Sequence, residues 1–247
     1  MRIILAASTA LFLAACSGAT ATPSASVVTG ASGTTLASQA AAGDPAHPTV
    51  IELYQSQGCS SCPPADAVVN KLADRKDVIA LSFAVTYWDD LGWKDSFGSP
   101  AFTARQWDYA HAAGRGQVAT PQVIVNGRAA VLGSREGELN QAIARNANSS
   151  GPDIAVAGNQ VTVGAGKGAA TVWLVRYDPR TINVAINAGE NGGRTIPHRN
   201  IVRQLTNIGQ WQGKAQSFTL PAAPAGLQTA VLVQQGKGGA IIAARKI

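Results

Sequence analysis

A mixed α/β segment followed by an all-β segment is the fold class this sequence predicts. Three observations point to it. Residues 48–149 alternate strand-like and helix-like stretches. Beyond Asn148-Ser149-Ser150-Gly151-Pro152, a cluster of turn formers, short strand-like runs follow one another. Before Pro48, residues 17–47 are rich in Ala, Ser, Thr and Gly and contain no aromatic residue, so they bury too little apolar surface to fold.

The elements follow in order. Val50 to Tyr54 reads as a strand and Pro63 to Arg75 as a helix, with Ala67, Val68, Leu72 and Ala73 at helical spacing. Val78 to Thr86 is an apolar strand, and Phe102 to Ala113 is helical. Gln122 to Val125 and Ala129 to Leu132 flank Asn126-Gly127, a hairpin signal. Ser134 to Asn148 closes the segment as a helix, with Ser134 as its cap. The order β-α-β-α-β-β-α implies a mixed sheet with helices on its faces. In the second segment, strands are expected at 153–157, 160–163, 170–177, 182–186, 216–220, 229–234 and 240–244. They predict an antiparallel sandwich or small barrel.

The N-terminus reads as an export signal. Arg2 precedes an apolar run from Ile3 to Ala15, which is too short to span a membrane. Leu13-Ala14-Ala15-Cys16 resembles the bacterial lipobox. That resemblance implies cleavage before Cys16, lipidation of its sulfur, and a membrane attachment through the lipid. The alternative is an ordinary secretory signal with an incidental cysteine. Residues 1–15 are then the signal, 16–47 a flexible tether, 48–149 the α/β domain and 150–247 the β-rich domain. By resemblance to Gram-negative lipoproteins, Ser17 in place of Asp implies the outer rather than the inner membrane. Export also places the remaining cysteines in a periplasm-facing compartment where disulfides persist.

Composition narrows the partners. The net charge is +6, from 20 Lys and Arg against 14 Asp and Glu, but the cations are scattered with no basic run. A solvated surface is the reading, and no nucleic acid is expected.

The chemistry is concentrated at Gly58-Cys59-Ser60-Ser61-Cys62-Pro63-Pro64-Ala65-Asp66. A C-x-x-C at a strand-to-helix turn is suited to redox work, because the helix N-terminus stabilises a thiolate. Pro63 and Pro64 suit the first helical positions, whose N–H groups are unpaired in any case. Cys59, at the more exposed end, is the expected nucleophile, and Cys62 the resolving thiol. The substrates would be protein or small-molecule disulfides, with no cofactor. Other readings stay open. The pair can be an inert structural disulfide. Zinc needs four ligands, yet a second C-x-x-C is absent and His47, His111 and His198 are far apart in sequence. Copper held by Cys59, Cys62 and a distant histidine is chemically sensible. Gly164-Ala165-Gly166-Lys167-Gly168 is no phosphate loop: Val161 stands where the first glycine belongs and no Ser or Thr follows Lys167.

Around the dithiol, Tyr87, Trp88 and Trp93 follow the second strand and are candidate walls of a substrate groove, or else pack against the domain. Thr120-Pro121 precedes a strand. In element order and in this C-x-x-C plus Thr-Pro combination, residues 49–148 resemble the thioredoxin-like fold. The resemblance implies that Pro121 is cis, shields the sulfurs, and lies beside Thr120, whose backbone would bind peptide. It also implies that Glu52, on the strand leading to the dithiol, is a buried acid that moves protons for Cys62; the alternative is an edge carboxylate facing water.

A narrower resemblance is to the DUF1223 family. Glu52 to Asp66 looks like its opening motif. Tyr87-Trp88-Asp89, Gly92-Trp93-Lys94-Asp95 and Ser99-Pro100 through Arg105-Gln106 match its middle. Thr120-Pro121-Gln122 and Val125-Asn126-Gly127-Arg128 match its third motif. Gly189-Glu190-Asn191, Gly193-Arg194-Thr195 and His198-Arg199-Asn200-Ile201-Val202 match its tail. The resemblance implies an exported thioredoxin-like domain with a β-rich partner. It speaks for the fold more than for the function, because the family's role is poorly defined. The lipobox is a feature of this chain rather than of that pattern. His198-Arg199-Asn200 is expected to form an interdomain hydrogen-bonded corner, or to touch the dithiol domain or a partner.

Overall fold

In the computed structural model, residues 43–148 and 151–247 are described. The expected signal, Cys16 and all but the last residues of the tether lie outside them. In chain order the elements are β1 (Thr49–Gln55), α1 (Pro63–Leu72), β2 (Val78–Ala84), α2 (Pro100–Ala112), β3 (Gln122–Val125), β4 (Ala129–Val131), α3 (Glu136–Arg145), β5 (Ile154–Ala157), β6 (Gln160–Val163), β7 (Ala170–Asp178), β8 (Ile182–Ala185), β9 (Thr195–His198), β10 (Ile201–Trp211), β11 (Gln216–Thr219), β12 (Gln228–Gln234) and β13 (Ile241–Lys246). A short 3-10 turn covers Asp89–Leu91.

The molecule is mixed α/β and dominated by one eight-stranded sheet, ordered β13-β12-β7-β10-β2-β1-β3-β4. Both segments contribute strands to it. β1 and β2 are parallel, with Thr49 opposite Val78, and β1 is antiparallel to β3. The seam between the segments is β2 against β10, parallel and short. There Ser82 N–H donates to Asn200 O (3.0 Å), and the Asn200 side chain donates to Ala80 O (2.8 Å). Asn200 thus stitches β2 to the chain just before β10, the corner expected of His198-Arg199-Asn200. A three-stranded sheet, β11-β6-β5, and the β8–β9 hairpin stand apart from the main sheet.

Alternation along β1 sends its side chains to two cores. Ile51 and Leu53 pack under α1 and α3 with Val68, Leu72, Leu139 and Ile143. Val50 and Tyr54 face the other way, onto Phe83, Phe102 and Tyr109 of the first segment and Val175, Leu232 and Ile241 of the second. That second core is shared by both segments. A third core lies between the small sheet and the β7–β12–β13 face, around Val161, Leu174, Trp211 and Phe218. The second segment is therefore sandwich-like, with its larger leaf merged into the main sheet.

The expected hairpin forms at Asn126 (φ 45°) and Gly127 (φ 65°), both left-handed, as its turn type requires. A side chain on Gly127 would also strike the backbone of Gly239. The Asn126 side chain is buried and accepts from Val50 N–H at 2.7 Å, tying the turn to β1. One local expectation is corrected: Ser134 does not cap α3, which starts at Glu136 with no side-chain cap. In α1, Cys62 occupies the cap position and no side chain caps it. Ser99, by contrast, caps α2 by accepting from Ala101 N–H.

Candidate functional site

β1 runs out at Gln55, and the chain turns through Ser56 to Ser61 before Pro63 opens α1. The turn is hydrogen-bonded: Cys59 N–H donates to Ser56 O, and Cys62 N–H donates to Cys59 O, both at 3.1 Å. This brings the two cysteines to a Cα separation of 5.4 Å, and they are joined as a disulfide. Cys62 caps the helix, and the Asp66 N–H donates to its carbonyl.

Most of the expected neighbours assemble here. The Ser61 hydroxyl is 3.3 Å from the Cys59 sulfur and 3.5 Å from the Thr120 carbonyl oxygen, so the Thr120 loop abuts the C-x-x-C turn. The Thr120–Pro121 bond is cis, and Pro121 is buried. The Trp88 indole donates to the Thr120 hydroxyl (2.8 Å), and the Trp93 indole donates to the Gln57 side-chain oxygen (2.9 Å). Both tryptophans are half-buried and tied down beside the dithiol. Tyr87 is 37% exposed and its hydroxyl donates to Gln106, one shell further out.

Glu52 is placed differently. It is fully buried, but it points to the side of β1 that carries Val50 and Tyr54, opposite the side that packs on α1. Its carboxylate accepts from Arg105 at 2.9 Å. Arg105 also donates to Gln234 and to the Tyr109 hydroxyl, each at 3.0 Å. Burial would depress the guanidinium, but the Glu52 charge overrides it and holds Arg105 above its ordinary range.

One expectation is reversed. The sequence predicts Cys59 at the more exposed end of the turn, yet Cys59 and Cys62 both have 0% exposure. The cover comes from the β8–β9 connection of the second segment. The Glu190 carboxylate accepts from Ser60 N–H at 3.0 Å. Buried Asn191 donates from its side-chain nitrogen to the carbonyls of Gln57 and Cys59, both at 2.9 Å, and accepts from Arg194 at 2.8 Å. Gly189 is left-handed (φ 69°) and lies against Trp93, where an added Cβ would come within 3.1 Å of the Trp93 Cβ. The loop is a latched lid over the sulfurs.

The Ser60 side chain, and then its backbone N–H, lower the Glu190 carboxylate below its ordinary value near 4.5. A depressed carboxylate contributes its contact above the ordinary value and loses it as pH falls through the folded one. Reduction of the disulfide by a phosphine, measured by quenched alkylation, is therefore expected to speed up as pH falls below the ordinary carboxylate range in the wild type but not in Glu190→Gln. A profile identical in the two proteins removes Glu190 as a latch.

A further buried pair sits behind the turn. Asp66 (3% exposed) and His198 (1% exposed) face each other, with Nδ1 of His198 3.7 Å from Asp66 Oδ1. Burial raises the Asp66 carboxyl, and His198 partly opposes it. Next to it, Asp95 accepts from Gln57 N–H at 2.7 Å, and burial pushes it up as well. Sequence reasoning assigned no role to Asp66, Glu190, Asn191 or Arg105. Asn191 lies 132 residues from the carbonyl it binds, and no periodicity carries information over that separation. Among the described residues no three His, Cys, Asp or Glu side chains come together as a metal site. No described helix is long and apolar enough to cross a membrane.

Fold and site together define a mixed α/β protein that holds a disulfide at a helix N-terminus, under a loop supplied by its own β-rich half. Residues 50–234 match the profile described as "Protein of unknown function (DUF1223)". The chain belongs to that family. It is similar to a crystal structure of a protein from Agrobacterium tumefaciens, at 34% identity and TM-score 0.69, over 81% of this chain and 93% of that one. Another similar structure is HBP35 of Porphyromonas gingivalis, at 16% identity and TM-score 0.48, covering 83% and 76% of the two chains. No curated protein matches.

Proposed function

We propose that the described residues form a thioredoxin-like fold with a β-rich extension, and that the protein is an envelope thiol–disulfide oxidoreductase. The observation that carries this reading is the Cys59–Cys62 pair at the N-terminus of α1, in contact through Ser61 with the Thr120 loop. In the reduced protein the Cys59 thiolate attacks a substrate disulfide, forms a mixed disulfide and releases one substrate thiolate. Cys62 then attacks the Cys59 sulfur, and the second substrate thiolate leaves. The dithiol loses two electrons and the substrate gains two; the reverse sequence oxidises a substrate dithiol. No cofactor takes part. Thr120, Trp88 and Trp93 line the approach to the sulfurs, and Tyr87 offers the exposed ring beyond them. The substrates are protein or small-molecule disulfides, reached when the lid opens. Lipidation at Cys16 holds the protein at the periplasmic face of the envelope, in the outer membrane.

Burial of both sulfurs favours a second reading, a non-enzymatic lipoprotein in which Cys59–Cys62 is a staple in a binding scaffold. Trapping separates the two. Cys62→Ser, expressed in the organism that carries the protein, is expected to accumulate disulfide-linked adducts through Cys59, visible on non-reducing gels and absent from Cys59→Ser/Cys62→Ser. If neither protein nor low-molecular-weight adducts form, the enzyme reading is wrong and the staple stands.

A further inference from the structure

We propose that Asp66, backed by His198, is the proton store of the resolving thiol. The inference rests on the oxidoreductase reading and gives the β-rich half a chemical role, because His198 comes from β9.

The geometry is that of one helical turn. Cys62 and Asp66 are four residues apart, and the Asp66 N–H donates to the Cys62 carbonyl at 3.1 Å. Side chains at that spacing are neighbours on one helix face. Both are buried, and Asp66 Oδ2 has no hydrogen-bond partner. Neither ring nitrogen of His198 has one either, and its ring packs edge-on against Phe97 at 5.9 Å. A buried carboxylate with a free oxygen is expensive unless something uses it. Glu52, the acid expected to do this, also has an unpartnered oxygen, but its other oxygen is bound to Arg105 and it lies on the side of β1 away from α1. Asp66 also lines a cavity of about 450 Å³ beside the helix end, together with Ser60, Pro63, Arg194 and Ile196. The proposed proton route to water runs through this cavity. The charged groups facing the pair are Arg194, leading into β9, Asp95, on the loop after the 3-10 turn, and Arg203 of β10, which lies over the Phe97 ring.

The step balances as follows. In the mixed disulfide, Cys62 is a thiol. Its proton passes to the Asp66 carboxylate as its sulfur attacks the Cys59 sulfur. The Cys59–Cys62 bond forms, and the bond from Cys59 to the substrate sulfur breaks. The substrate leaves as a thiolate and is protonated by water, and Asp66 returns its proton through the cavity. In the reverse direction Asp66 protonates the Cys62 thiolate as the disulfide opens. His198 keeps the carboxylate charge tolerable between turnovers.

The test uses the full chain, reduced, with glutathione disulfide as probe. Quenched-flow mass spectrometry resolves formation of the Cys59–glutathione adduct from its conversion to Cys59–Cys62, between pH 5 and 9. Asp66→Asn is expected to slow the second step roughly a hundredfold at neutral pH and to move its pH dependence upward, leaving adduct formation unchanged. His198→Asn is expected to move the inflection of the second step upward while retaining it. Resolution by Asp66→Asn at the wild-type rate and with the wild-type profile overturns the proposal. Should Asp66→Asn fail to fold, His198→Asn carries the test, and a wild-type profile there overturns it equally. A wild-type protein that forms no adduct at any pH, in glutathione disulfide or in the trapping experiment, refutes the oxidoreductase reading itself. That outcome is distinct from adduct formation with unaltered resolution.

Discussion

Asn191→Ala is expected to raise the rate at which dithiothreitol reduces Cys59–Cys62 by about thirtyfold under native conditions. The wild-type sulfurs are closed to solvent, so reduction requires the Gly189–Arg194 loop to lift. Asn191 donates to two backbone carbonyls of the C-x-x-C turn, those of Gln57 and Cys59. A net hydrogen bond contributes about 1 kcal/mol, so losing both shifts loop opening by roughly 2 kcal/mol. Each 1.4 kcal/mol is a factor of ten, which gives roughly the thirtyfold figure. Local opening is distinguishable from global unfolding, because the urea midpoint is expected to move far less than the reduction rate. A rate that changes only in step with the urea midpoint would mean that the sulfurs are reached by whole-molecule unfolding, and the lid would be mere packing. The loop connects β8 to β9, and the Pro197 carbonyl of β9 accepts from Asn70 of α1 (2.9 Å), so Asn70→Ala is a useful companion variant.

Arg105→Met is expected to destabilise the protein by about 3–5 kcal/mol, the range for leaving one member of a buried ion pair uncompensated. Glu52 and Arg105 are both buried, and the guanidinium also satisfies Gln234 of β12 and Tyr109 of α2. The change therefore cuts a network that joins α2 to both halves of the sheet. For a folded body of this size the loss corresponds to a drop of about 6–20 °C in melting temperature. Glu52→Leu/Arg105→Met is expected to recover most of it, since removing both charges together is close to neutral or better. Equilibrium urea unfolding of the three proteins provides the measurement. If Arg105→Met costs under about 1 kcal/mol, water reaches Glu52 and the pair is not buried in solution. The double variant also separates stability from redox chemistry: its resolution step is expected to keep the wild-type pH profile, because Asp66 and not Glu52 stands one turn below Cys62.

Local features were readable from the residues alone. Apolar runs and helical spacing placed β1, α1, β2, α2 and the Asn126-Gly127 hairpin to within a few residues, because each is governed by neighbours close in the chain. β10 gave no such signal. Arg203, Gln204, Asn207 and Gln210 interrupt its apolar residues, and two register shifts against β7 break the period of two. A strand with irregular pairing has no clean alternation to read, although it is the longest among the described residues. Without β10 the single sheet spanning both segments is invisible, since the seam at Ile201 and Ser82 is made only there.

The dithiol shows the same division. Its position after a strand and before Pro63 follows from adjacent residues; Thr120 beside it is implied only by the thioredoxin-like resemblance, and Trp88 and Trp93 arrive there because β2, the strand before them, runs parallel to β1. Burial does not follow. Whether Cys59 meets water is decided by Asn191 and Glu190, more than 125 residues away, and contacts at that range depend on how the sheet closes. By itself, then, the chain specifies where the sulfurs sit and what helix end they share, because those are short-range matters of turn and cap. The lid over them, the coupling of Glu52 to Arg105 and the facing of Asp66 to His198 are set only when the second segment is brought against the first, because each joins side chains that no local rule relates.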